Sequence, residues 1–552
     1  MSLLNKVTCC SILREFSPEE QHDFFGICSQ KTLHHIDTFY YAVYINEPDD
    51  IIALQKKSQL PDNLDYFIDY LRESKKEMND SMEKRLDIGC GDLEMFARSS
   101  KGYQFCVGID ESFDIFIADH LPNASTPRIL VQLRSRYLVV EGVCDAIDES
   151  FEYVKKFLQN FGLFPVKVRE NRVDYAFHTN LIQNPNKYFS DRKLELHLKT
   201  DFEKYNKIGD IDGSNGTKLN IATLQLGQRD SNNVFFRAYN KGEEVVQVNY
   251  KAFFITRWFQ NGLISKFDKY CYETAYELHS YKTGLLVGRL KWYIENGRNP
   301  ELVEECKKLF DSCFVNSDNS VQIEKKLRNV IPEPTVICNI EFQTKRKFYL
   351  TCKDFFNSFY DDEGKETYNL NKYDKRQYYE DRDPILVELY DILKHGRAIV
   401  NYLTEFGHTV SFVKDNRMSL KQFRENDEPY EYWWGRIRST PIDYSTDSIT
   451  DLYRTYDQEA SLIKSRRLML GQVARAAMLQ RSDISESTFE EDIADALCYL
   501  NDNDLPPLVK NPEFRDKPIE PSGYREIQIR KGRQLRAIIK KGAIKEKDNI
   551  NN

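Results

Sequence analysis

RILVQLRSRYLVVEGVCDAIDESFEYVKKFLQNFGLFPVKVRENRVDYAFH, residues Arg128–His178, holds the reading that decides the fold. Arg128 to Arg134 is apolar and β-branched, as a strand requires. Ile147, Phe151, Val154, Leu158 and Phe161 then recur every three or four residues, which puts them on one helical face, and Gly162 supplies a stop. From Arg172 to His178 the period falls to two: Asp174, Ala176 and His178 share one side of a strand, and Val173, Tyr175 and Phe177 share the other. Strand, helix and a strand with one polar face predict an α+β sheet domain.

Working outward, Phe113 to Asp119 (FDIFIAD) pairs with Arg128 to Arg134 as a hairpin across LPNASTP. A second hairpin is expected from Ile221 to Lys241, with strands IATLQLG and VFFRAYNK. Tyr272 to His279 reads as a further strand, with Glu273, Ala275, Glu277 and His279 on one face. Asp37 to Ile45 (DTFYYAVYI) reads as a strand without an assigned role, and Leu64 to Met78 as a helix. Later helices are expected at Leu302–Phe314, Pro384–Leu403, Ser461–Leu479 and Ser487–Leu500, with a long loop from Asn357 to Asp383. The division that follows is 1–80 for an N-terminal strand and helix, 81–295 for the α+β domain, 296–505 for a mainly helical region, and 506–552 for a Pro-rich linker and basic tail.

With 552 residues, 41% of them hydrophobic and 30% charged, the chain has material for two or three domains and is not dominated by disorder. It shows neither a secretory leader nor a run of ~20 apolar residues, so a cytoplasmic protein without a membrane partner is expected. The 12 cysteines form no paired C-x-x-C units and are expected to be reduced, packed thiols. A net charge of -8 excludes a uniformly basic nucleic-acid binder, but Arg525 to Lys547 carries +7 and could hold phosphate through Arg530, Lys531 and Arg533. Trp433 and Trp434 beside Arg436 and Arg438 suit either core packing or base stacking.

Two constellations compete for the chemistry. LDIGCG at Leu86–Gly91 followed by VGID at Val107–Asp110 resembles the glycine loop and second-strand acid of class I methyltransferases, which would imply S-adenosylmethionine binding on a parallel sheet around residues 84–110. The other joins RVDYAFHTN, the run GQRDSNNVFFRAYNKGEE at Gly227–Glu244, and ETAYELH. Strand periodicity puts Arg237, Tyr239 and Lys241 on one face. A tyrosine, cations and a carboxylate–imidazole cluster together suit phosphodiester transfer.

At these residues, over about residues 100 to 290, the chain resembles the replication initiation factor (Rep-trans) family, which includes rolling-circle plasmid initiators and relaxases of conjugative elements. The resemblance implies an antiparallel nicking domain of the HUH-endonuclease-like type. It makes Tyr239 the nucleophile that leaves a 5′-phosphotyrosyl link and a free 3′-hydroxyl, with Arg237 and Lys241 assisting. It implies Asp174 and Glu277 as ligands of Mg²⁺ or Mn²⁺, with His178, which stands where the family often has a second acid, as a further ligand, and Arg229 and Arg172 as phosphate contacts. The implied partners are origin DNA, duplex and single-stranded, with a homodimer and host helicase or conjugation machinery beyond it. A non-catalytic origin-binding protein of the same fold is the further alternative.

Overall fold

The computed structural model describes residues 10–26, 31–123, 126–202, 205–211, 219–229, 233–248, 251–313, 317–350 and 383–445. In chain order the strands are β1 (Thr32–Ile45), β2 (Arg85–Cys90), β3 (Leu93–Phe96), β4 (Phe105–Ile109), β5 (Phe113–Ile117), β6 (Ile129–Leu133), β7 (Pro165–Thr179), β8 (Leu198–Thr200), β9 (Tyr205–Ile211), β10 (Leu219–Leu226), β11 (Val234–Asn240), β12 (Cys338–Lys345) and β13 (Val410–Phe412). Eleven of them form one sheet in the order β2-β3-β4-β5-β6-β1-β7-β12-β11-β10-β9, while β8 and β13 pair separately. Every pair in the large sheet is antiparallel. The class is therefore α+β, with both expected hairpins in place.

The helices used below are α1 (Pro18–Phe25), α2 (Asp62–Asp80), α3 (Val143–Gln159), α4 (Phe253–Gln260), α5 (Lys266–Glu277), α6 (Tyr281–Asn296), α7 (Pro300–Cys313), α8 (Val387–Lys394), α9 (Gly396–Thr404) and α10 (Tyr432–Arg438). One face of the sheet is apolar. Tyr175, Phe177, Phe236, Ile340 and Phe342 lie on it, covered by Phe67 and Leu71 of α2, Phe151 and Val154 of α3, Leu389 of α8, Leu403 of α9 and Trp434 of α10. Each such side chain contributes about 1.5–3 kcal/mol on burial, so this face anchors the fold. Trp433 and Trp434 are 3% and 0% exposed and belong to this core, which settles their fate as packing rather than stacking. A second core joins Ile12, Phe16 and Phe25 near the start of the chain to Phe267, Leu290, Trp292 and Cys306 of α5, α6 and α7.

Three sequence expectations change. Tyr272–His279 is not a strand: the Ser265–Asp268 capping box starts α5, and Phe267, Cys271, Tyr272 and Ala275 recur with helical spacing along its buried side. The stretch 84–110 is not a parallel nucleotide fold. LDIGC belongs to β2 and Gly91 opens its turn into β3, with Gly89, at the register shift in β2, and Gly91 at φ +66° and +68°, and VGID runs through the antiparallel strand β4. Asp110, expected to receive ribose hydroxyls, instead lies within 4.0 Å of Arg85, Arg98 and Arg134. Finally, the sheet reaches outside residues 81–295: β1 lies between β6 and β7, and β12 between β7 and β11. Most of the 357–383 loop, the helices expected at 461–479 and 487–500, the Pro-rich linker and the basic tail lie outside the described residues.

Candidate active site

The other face of the sheet is polar across its middle, and register explains which groups meet. His178 on β7 pairs with Asn339 on β12, which pairs with Tyr239 on β11. One step along each strand's pleat, Ala176 pairs with Glu341 and Glu341 with Arg237; the next row brings Asp174 to Gln343. These residues share a face because each is two positions from the last. In β1 the register shifts between Ile36 and Thr38, leaving Asp37 without a ladder partner. A bulge of this kind re-aims a side chain, and Asp37 comes within 3.7 Å of His35 Nε2 and 4.0 Å of Lys241 Nζ.

Beyond Tyr239 the chain turns at once. Asn240 caps a short helix by accepting a hydrogen bond from the Glu243 amide, and the Lys241 amide donates to the Ile337 carbonyl at 2.8 Å. That turn folds Lys241 back beside the tyrosine. Its Nζ lies 2.6 Å from Glu244 Oε2 and donates to the Tyr239 hydroxyl at 3.3 Å. Gly242 follows because a Cβ there would stand 2.6 Å from the Tyr272 hydroxyl on α5. Asn339 Nδ2 donates to the same phenolic oxygen at 2.9 Å and to Glu341 Oε2 at 3.0 Å, and Glu341 accepts from Arg237 at 2.7 Å. Two donors therefore converge on the Tyr239 oxygen.

Burial sets the electrostatics. Tyr239 is 7% exposed and Lys241 fully buried. Burial pushes the phenol above its ordinary value, opposed chiefly by the Lys241 ammonium and reinforced by Glu341. Burial also disfavours the Lys241 ammonium, but Tyr239, Asp37 and Glu244 outweigh it and hold the lysine charged. Asp37, despite its burial, is kept well below the usual carboxylate range by Lys241. Burial drives His35 down to about 4 and His178 well below the usual imidazole range. His178 Nδ1 accepts the Trp258 indole N–H at 3.0 Å, so the neutral ring carries its proton on Nε2. Nε2 has no hydrogen-bond partner, nor do both ring nitrogens of His35, Asp37 Oδ1 and Asn339 Oδ1. Buried polar atoms are nearly always paired, so a cluster of unpaired ones needs a reason.

The proposed metal triad does not converge. Asp174 is held by Arg172, whose Nε donates at 2.8 Å. Glu277 is exposed near the C-terminal end of α5, not on a strand, and His279 is likewise exposed at φ +48°. Among the described residues no group of three or more His, Cys, Asp or Glu is placed to hold a metal ion. The structure does bring Tyr239, Lys241, Arg237 and His178 to one face. Arg172 lies on that face further along β7, and Arg229 in the turn before β11, its Nε donating to Gln343 at 3.3 Å. Arg438 donates to the Thr404 carbonyl at 3.2 Å and to the Tyr430 hydroxyl, while Arg436 is exposed. Arg530, Lys531 and Arg533 lie outside the described residues.

Sequence reading missed His35, Asp37, Asn339, Glu341 and Glu244. The signal for two of them was present: in CNIEFQTK, Asn339, Glu341, Gln343 and Lys345 alternate with Cys338, Ile340, Phe342 and Thr344.

No family model and no curated protein matches the chain. Among solved structures it is similar to the rolling circle replication initiator protein from Geobacillus stearothermophilus, at 11% identity, with 75% of this chain and 99% of that chain covered and a TM-score of 0.30.

Proposed function

We propose that the protein is a DNA-nicking and -joining transesterase of the replication initiation factor type, acting at a plasmid or mobile-element origin with Tyr239 as nucleophile. The observation that carries this reading is the convergence of Lys241 Nζ and Asn339 Nδ2 on the Tyr239 oxygen, on a sheet face where His35, Asp37 and His178 keep polar atoms without a hydrogen bond. Both donors stabilise a phenolate as it forms, and preorganised donors of this kind are worth ~10²–10³ in rate each. In the reaction the phenolic oxygen bonds to phosphorus and the P–O3′ bond breaks. The phenolic proton ends on the 3′-oxygen, leaving a 5′-phosphotyrosyl link whose energy serves later religation. Arg237 and the Nε2–H of His178 supply donors for the phosphoryl oxygens. The predicted ligands Asp174, His178 and Glu277 do not form one set, so no step is assigned to Mg²⁺ or Mn²⁺; the assay carries that expectation as a variable. Origin DNA is the proposed partner, and an HUH-like nicking domain the proposed finer class.

The test is incubation with a supercoiled plasmid carrying the DNA that flanks the gene, with Mg²⁺, Mn²⁺ or EDTA, beside a Tyr239→Phe variant. A nick and a 5′-linked protein adduct, both lost in the variant, support the reading. Origin binding with no covalent product in either version would mark a non-catalytic origin-binding factor.

A further inference from the structure

The tyrosine centre is backed by an aromatic layer to which the reaction assigns no part. Helix α4 carries Phe254 and Trp258, four residues apart and so on one face, and both are fully buried. The Phe254 ring lies 5.5 Å from the ring of His35, 4.7 Å from that of His178 and 4.9 Å from Lys241 Nζ. Trp258 adds a polar contact: its indole Nε1 donates to His178 Nδ1 at 3.0 Å.

An indole N–H can only donate, so the imidazole nitrogen it meets must present a lone pair. That one bond excludes both the imidazolium and the Nδ1–H tautomer. What remains is a neutral ring whose proton sits on Nε2, a buried atom without a hydrogen-bond partner. In this form Nδ1 is occupied and Nε2 is protonated, so the ring has no lone pair left for a cation or a proton and can act only as a donor.

The indole is itself held. Tyr272 of α5 packs edge-on against it at 5.6 Å and is fixed in turn by its hydroxyl, which donates to the Thr335 carbonyl at 2.8 Å. The Leu263 amide donates to the Trp258 carbonyl at 2.8 Å, and the Leu263 carbonyl accepts from Asn180 Nδ2 at 2.9 Å. The segment after α4 is thereby tied to the chain just beyond His178. A group locked by packing and by its neighbours' hydrogen bonds keeps its orientation, and can impose one.

We infer that Trp258 is a positioning residue of the tyrosine centre, fixing His178 in the Nε2–H form so that the imidazole serves as a donor to the phosphoryl group and not as a base or a metal ligand. The use made of that donor rests on the nicking reading; the form of the ring does not. The resemblance that singles out Tyr239, Arg237 and Lys241 names no residue of α4.

The experiment has two readouts on the full chain. Solid-state nitrogen NMR of histidine-labelled protein at neutral pH, with His178→Gln to identify the signals, reports which ring nitrogen of His178 is protonated. Wild type is expected to show a protonated Nε2 and an unprotonated Nδ1. Trp258→Phe, which removes the N–H and keeps a ring, should show a population protonated on Nδ1. The second readout is the rate of covalent adduct formation at saturating DNA, per folded molecule, beside DNA affinity. Trp258→Phe should slow the adduct about tenfold with affinity unchanged, less than the ~10²–10³-fold of a donor lost outright because the ring still visits the productive form. In a His178→Gln background it should slow the adduct no further. A wild-type ring protonated on Nδ1 would overturn the inference, a result that needs no variant to fold. So would an Nε2–H form undiminished in Trp258→Phe, an unchanged adduct rate in that variant, or an equal loss in the His178→Gln background, which would mark the indole as packing alone. An Nε2–H ring in a wild type that makes no adduct would keep the assignment of the ring to Trp258 and remove the nicking reading.

Discussion

Two clusters on the same polar face handle buried charge in opposite ways. At Asp114 the carboxylate is 2% exposed and fully served: Arg98 donates to Oδ1 at 3.0 and 2.6 Å, Arg134 to Oδ2 at 3.1 and 2.7 Å, and Cys106 Sγ approaches Oδ1 at 3.6 Å. Around Tyr239 charge is equally buried, yet His35, Asp37, His178 and Asn339 keep polar atoms without hydrogen bonds. A carboxylate saturated by two guanidinium groups is a structural device that ties β5 to the segments following β3 and β6. An unsaturated cluster around a phenol costs stability that a structural role does not return, and such costs collect at functional sites.

The contrast is sharpest in the effect of single substitutions. Tyr239→Phe should abolish the covalent DNA adduct entirely while changing the unfolding free energy read from urea denaturation by no more than about 1 kcal/mol, since it removes one hydroxyl that accepts from Lys241 and Asn339. Asp114→Ala should do the reverse, because it removes the buried carboxylate that both arginines share and leaves them only the more distant Asp110: a loss of about 1.5–3 kcal/mol in chemical denaturation, with adduct formation per folded molecule unchanged. A fall in adduct yield at constant folded fraction in Asp114→Ala would erase the distinction between the clusters. Lys241→Gln, measured as adduct rate per folded molecule at saturating DNA, should fall ~10²–10³-fold with DNA affinity kept.

Acid offers a gentler probe. His35 has its folded value depressed by burial from 6.5 to about 4. Below its unfolded value the unfolded chain takes up a proton that the folded one refuses, so stability is lost as pH falls through that window. Wild type should therefore lose up to about 3 kcal/mol relative to His35→Gln between pH 7 and pH 4, read from denaturation midpoints. A constant difference between the two proteins across that range would show that His35 is not held neutral by its surroundings. The smallest effect is expected at Arg436, which is exposed on α10: Arg436→Ala should change neither stability nor DNA binding beyond about 0.5 kcal/mol.

The sequence was legible where periodicity was strong and local. The helix of Ile147, Phe151, Val154 and Leu158, the hairpin of β5 with β6 and that of β10 with β11 all follow from side-chain spacing. So does the sharing of one face by Arg237 and Tyr239. The misreading of Tyr272–His279 came from weighing the two-residue repeat of Glu273, Ala275 and Glu277 above the capping box at Ser265 and Asp268, which commits the segment to a helix before the repeat begins. Other parts of the site were beyond local reading. That β12 inserts between β7 and β11, bringing Asn339 to Tyr239, is a pairing across 100 residues. The bulge that turns Asp37 toward Lys241 exists only once β1 is laid against β7. Glycine spacing misled in the opposite direction, since a tight hairpin turn needs the same positive φ at Gly89 and Gly91 that a nucleotide loop would.

The central claim is that the unsaturated cluster, and not the saturated one, exists to activate Tyr239. Mass spectrometry of the nuclease-trimmed adduct formed on origin-bearing DNA tests it directly. The predicted result is a single modified peptide carrying a nucleotide 5′-phosphate on Tyr239. A nucleotide on any other tyrosine, or an origin cleaved with no nucleotide bound to Tyr239, would contradict it.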